Sequence, residues 1–106
     1  MPKYLFHGNF TAEAARGLIK KGGTARVKAV EKLARSVGGK LESYHFAFGD
    51  TDCFIIVDLP DNNAAAAVSL TVGASGAIAN RTTVLLTAAE VDEAVKKNPS
   101  CRPPGL

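Results

Sequence analysis

Residues Leu41 to Pro60, LESYHFAFGDTDCFIIVDLP, decide how this chain folds. Two runs rich in β-branched and aromatic residues flank Gly49-Asp50-Thr51-Asp52 and alternate with a period of two, the mark of a hairpin. A turn over those four residues pairs Phe48 with Cys53, Phe46 with Ile55 and Tyr44 with Val57. Glu42, Tyr44, Phe46, Phe48, Cys53, Ile55, Val57 and Leu59 then share one face, which suits a core covered by helices. Ser43, His45, Ala47, Phe54, Ile56 and Asp58 share the other. A slip of one residue would exchange the faces.

Upstream, Lys3 to Phe10 alternates as a first strand, with Tyr4, Phe6, Gly8 and Phe10 opposite Lys3, Leu5, His7 and Asn9. Thr11 precedes Ala12 to Arg16, which favours a turn of helix, and Lys20-Lys21-Gly22-Gly23 interrupts it. Thr24 is the expected N-cap of a longer helix whose stripe is Val27, Val30, Leu33, Ala34 and Val37. Arg26, Lys28, Glu31, Lys32 and Arg35 fall to its solvent side, and Gly38-Gly39 stops it.

Downstream, Pro60 closes the hairpin and Asp61 caps a helix that is apolar almost all round from Ala64 to Val72, a pattern expected of burial on more than one side. Gly73 and Gly76 end it. Arg81 to Leu86 is a fourth strand. Thr87-Ala88-Ala89-Glu90 is a capping box opening a short helix to about Lys97. Residues 1–98 are expected to form one domain. Residues 99–106, with three prolines and a glycine, have no periodic apolar face and are expected to form a flexible tail.

The order strand, helix, strand, strand, helix, strand predicts an α+β, ferredoxin-like βαββαβ fold. Its four-stranded antiparallel sheet carries helices on one face. The other face, bearing Leu5, Phe54 and Ile56, is too apolar to leave in water, and no further element is long enough to cover it. A second copy would cover it, placing His7, His45 and Asp58 in or beside the interface. The expectation is therefore at least a homodimer built sheet to sheet, weakened when its histidines charge in mild acid.

The segment GDTDCFIIVDLPDNNAAAAV, followed by a glycine-containing loop and NRTTVLLT, resembles the small GYD domain proteins, named for a Gly-x-Tyr-Asp-type motif in the hairpin. PKYLFHGNFT and LARSVGGKLES are similar to that family too, so the likeness spans roughly Pro2 to Lys97. Gly49, Asp52, Pro60 and Arg81-Thr82-Thr83 match best, whereas Thr51 stands where the family's tyrosine would be. The resemblance implies a ferredoxin-like fold that dimerises through its sheet into an α/β-barrel-like assembly. It implies no reaction and no catalytic residue. Similar folds serve as cofactor-free oxygenases, isomerases, haem-handling enzymes and regulatory modules.

Composition narrows the function classes without choosing one. The 46% apolar and 22% charged residues are those of a globular domain, and the net charge of +3 is mild. Lys20 to Lys40 is basic, yet aromatics are not interleaved and no nucleic-acid motif is present, so a solvated helix face is the preferred reading. The start MPKYLFHG has no apolar leader segment and no run reaches about 18 apolar residues, which predicts a cytoplasmic protein with no membrane partner. Asn9-Phe10-Thr11 and Asn80-Arg81-Thr82 are therefore not read as glycosylation sites. Cys53 and Cys101 make neither a disulfide framework nor a zinc motif. Cys53 reads as a small buried apolar residue.

Candidate chemistry rests on few side chains. A histidine beside a carboxylate makes a general base, so His45 and His7, with Asp58, are the catalytic candidates, and Tyr44 or Tyr4 could orient a substrate. Ordinary strand histidines and core tyrosines are the competing reading. One chain's His7 and His45 cannot share a metal, because two strand spacings are about 10 Å and zinc ligands sit about 2 Å from the ion. Gly49 to Asp52 reads as a turn, not a calcium loop. Gly22-Gly23-Thr24 is a possible anion seat at a helix start. No metal and no cofactor is expected. Three functions follow: an oligomeric module binding a small ligand or partner, which is preferred; a small enzyme of oxygenase or isomerase type with a strand histidine as base; and a weak nucleic-acid binder.

Overall fold

The computed structural model describes residues 1–106. Its strands β1 (Lys3–Phe10), β2 (Lys40–Phe46), β3 (Cys53–Asp58) and β4 (Ile78–Leu85) form one antiparallel sheet in the order β2-β3-β1-β4. Helices α1 (Ala12–Lys21) and α2 (Gly23–Ser36) lie between β1 and β2, α3 (Asn62–Ala74) between β3 and β4, and α4 (Ala88–Lys96) at the end. This is an α+β fold with an open sheet, consistent with the ferredoxin-like arrangement.

Alternation along β1 and β3 builds the core. Tyr4 and Phe6 from β1 meet Cys53, Ile55 and Val57 from β3, and Val30, Ala34, Ala65 and Val68 of α2 and α3 close over them. Tyr4 is 1% exposed, and its hydroxyl donates to Asn62 Oδ1 at 2.6 Å, so the phenol is a satisfied core group joining β1 to α3. Asp61 and Thr87 cap α3 and α4 as their sequences suggest, the second through a complete capping box.

The hairpin departs from its expected register by two residues. Phe46 pairs with Cys53 and Tyr44 with Ile55, and the connection is the six-residue loop 47–52 instead of a four-residue turn. A two-residue shift preserves face parity, so Ile55 and Val57 keep their core positions. It moves Phe48 onto the loop, fully exposed, and leaves Phe46 at the sheet end, 40% exposed. A bulge between Leu41 and Ser43 turns Leu41 toward the core in place of Glu42, whose carboxylate instead pairs with Lys3.

Other expectations change for local reasons. α1 is a full ten residues, capped by the Thr11 hydroxyl accepting the Ala14 N–H. Gly22, at φ +83°, breaks the chain between α1 and α2, so α2 starts at Gly23 and Thr24 is not its cap. α3 is buried on one side only, at Ala65 and Val68, while Leu70 is 73% exposed. It also runs through Gly73 to Ala74. β4 starts at Ile78, three residues earlier than its β-formers indicate, because β1 pairs along its whole length. Every residue of α4 is exposed. No helix is long and apolar enough to cross a membrane.

Candidate functional site

Two regions bear on function, one on each side of the sheet. On the open face, His45, Phe54, His7 and Arg81 form one cross-strand row through the pairs His45 with Phe54, His7 with Phe54, and His7 with Arg81. The His7 ring lies parallel to that of Phe54, within 6°, with centroids 6.3 Å apart, and its Nε2 is 3.3 Å from Thr83 Oγ1. His45 is exposed on the far side of Phe54. Beside this row Leu5 pairs with Ile56, and none of Leu5, His7, Phe54 and Ile56 is buried.

Asp58 does not join the histidines. It lies four residues beyond Phe54, roughly 13 Å along the strand, and it is bound to Lys3 at 2.8 Å. Lys3 bridges Asp58 and Glu42, tying the ends of β1, β2 and β3. The hydrogen bond to Asp58, then that to Glu42, raises the Lys3 ammonium above its ordinary value. The structure therefore forms no histidine–carboxylate pair here. No group of three or more His, Cys, Asp or Glu side chains is placed to hold a metal ion.

The helix-covered side holds a group that pattern reading missed. Arg26 is half-buried, its Nε is sealed from solvent, and that atom has no hydrogen-bond partner. The Tyr44 hydroxyl is likewise sealed and unpartnered. Burial pushes the phenol above its ordinary range; the nearby Arg26 guanidinium pulls the other way but does not prevail. Burial also raises the neighbouring Cys53 thiol, whose Sγ lies 3.7 Å from the Gly8 carbonyl oxygen. Tyr44 thus remains a neutral donor and Cys53 a protonated thiol at ordinary pH.

Arg26 stands four residues, about one helical turn, before Val30 on the stripe that continues through Ala34, so spacing alone placed it inward. Its charge had argued for the solvent side. The side chain lies where a small apolar cavity of about 30 Å³, beneath α2 and α3, meets a groove of about 450 Å³. Phe10, Leu18, Ala25, Ala29 and Ile78 wall the groove, with Lys21 and Arg26 as its only charged residues. This arrangement can take up a small molecule and offer it two cationic side chains, Lys21 and Arg26. It contains no nucleophile–base pair.

The family model for the GYD domain matches residues 4–95. No curated protein and no solved structure matches the chain.

Proposed function

The chain belongs to the GYD domain family, and from that premise we propose that it is a homodimeric module that binds a small organic ligand in the groove between α1, α2 and the start of β4. The observation that carries this reading is the groove itself, about 450 Å³ between apolar walls with Lys21 and Arg26 as its only charged residues. The groove volume lies within the ~300–1,000 Å³ of ordinary ligand sites.

The second half of the proposal is the dimer. Leu5, Phe54 and Ile56 form the centre of an uncovered sheet face flanked by His7, His45 and Asp58, and a second copy would bury that centre about a two-fold axis. An enzyme using His7 or His45 as base is the weaker reading, since Asp58 is held by Lys3. Native mass spectrometry of the purified chain tests the ligand. A small bound species lost in Ala29→Trp, which fills the groove, is expected; a chain that carries none, and whose melting no small-molecule panel shifts, would overturn it.

A further inference from the structure

We propose that the groove takes a carboxylate borne on an apolar body, with the carboxylate seated against Arg26 and Lys21. This deepens the ligand-binding reading above and rests on it.

Charge comes first. Of the residues lining the groove, Lys21 and Arg26 are cationic and none is acidic. The chain's four ion pairs use Lys3, Arg35 and Lys96, so Arg26 has no carboxylate of its own. A half-buried guanidinium without an internal counter-ion is a poor structural element and a good anion receptor, because its donors keep a fixed fork. The first turn of α2, which carries Gly23, Ala25 and Arg26, has no side-chain cap, so its backbone N–H groups add positive potential at the same place.

Geometry then narrows the anion. Lys21 and Arg26 line the groove from different helices, α1 and α2, and a carboxylate offers two oxygens. A phosphate would call for a nest of backbone donors or several cations around three oxygens; here the walls are apolar. Ala14, Gly17, Ala25 and Ala29 keep the slot open, while Phe10 and Leu18 offer surfaces for a flat hydrocarbon body.

The test titrates the full chain with 2-naphthoate and with its neutral isostere 2-naphthamide, followed by calorimetry. Naphthoate should bind at least tenfold more tightly than naphthamide. Arg26→Gln should remove that preference, Arg26→Lys should retain part of it, and Lys21→Gln should lower it. Comparison of the two probes on the unaltered chain stands even where Arg26→Gln fails to fold. Equal binding of both probes, abolished for both by Ala29→Trp, overturns the carboxylate inference and leaves the groove reading intact. Displacement of naphthoate by inorganic phosphate at matched concentration overturns the choice of carboxylate. No binding of either probe sinks the inference, and the groove reading is then judged by its own mass measurement.

Discussion

The Asp52 side chain reaches from the hairpin loop to the end of β1, where its Oδ2 accepts the Phe10 N–H at 2.9 Å. The Asp52 backbone completes the join: its N–H donates to the Gly8 carbonyl at 2.9 Å, and its carbonyl accepts the Ala47 N–H at 2.8 Å. One residue thus closes the loop on itself and fastens it to a strand 42 residues away in sequence. That tie explains the six-residue loop, because a tight four-residue turn would hold Asp52 in the turn and away from β1. It also gives the aspartate of the family motif a structural role in this chain.

Replacing Asp52 with alanine leaves the Phe10 N–H without its acceptor. The expected loss is about 1–3 kcal/mol, the usual cost of an unmet part-buried donor to a charged partner. Asp52→Asn, which keeps an acceptor oxygen, should lose less. Urea unfolding of the three proteins checks the order, and equal stability of all three would contradict the tie.

The corrected register separates residues that looked alike in sequence. Ile55 is 6% exposed, so Ile55→Ala should cost about 2–5 kcal/mol. Phe48, fully exposed on the loop, should change stability by less than about 0.5 kcal/mol when truncated. Chemical denaturation of both variants decides between the observed register and one that buries Phe48.

Gly8 lies where β1 meets β4 so closely that a Cβ would sit 2.2 Å from the Ala79 carbonyl oxygen and 2.9 Å from Asn80 Cα. Gly8→Ala must push β4 away and should destabilise by more than about 1 kcal/mol. Gly17, inside α1 with open space at its Cβ position, should behave oppositely. Gly17→Ala should gain up to about 1 kcal/mol from helix propensity. Thermal melts of the pair provide the check.

Alkali should destabilise the chain through three groups of one sign. Tyr44 and Cys53 are raised by burial and Lys3 by its bond to Asp58, so each holds its proton more tightly when folded. Their stabilisation is complete below the unfolded thiol value of about 9.0 and is lost as pH climbs through the raised folded values. Melting temperature should fall from pH 9 to 11. Tyr44→Phe should flatten that fall and, by removing an unpartnered hydroxyl, should not lower stability at pH 7. A phenylalanine variant with an unchanged alkaline slope would show that Tyr44 is not the group titrating.

The uncovered sheet face around Leu5, Phe54 and Ile56 predicts a dimer at tens of micromolar and pH 8. Phe54→Glu should break it. Sedimentation at several concentrations measures this, and a monomer at pH 8 would remove the dimer.

Much of the architecture was legible because it depends on neighbours in the chain. The alternation of Tyr4, Phe6 and Gly8 against Leu5 and His7 sorted β1 correctly, as did Cys53, Ile55 and Val57 for β3. Asp61 and Thr87 announced their helices through a hydroxyl or carboxylate placed just before an apolar run. The open face was legible by subtraction, since no remaining segment was long enough to cover it.

The candidate site was only half legible. Arg26 sat on the α2 stripe by spacing, but a guanidinium at a stripe position is ordinarily solvated, so its charge outweighed its place. Tyr44 was marked by type and position, yet nothing in the order of residues said that its hydroxyl would be sealed without a partner.

Residue order by itself determined the kinds of element, their sequence, the parity of their faces and membership of the family, because periodicity and capping act within about four residues. Tertiary structure alone decided the hairpin register, the exposure of Phe46 and Phe48, the one-sided burial of α3 and the sealing of Arg26 Nε and Tyr44 Oη from solvent. Each of these depends on contacts between distant residues, as between Asp52 and Phe10. Such contacts form only when sheet pairing and helix packing are satisfied together, and no local pattern carries that condition.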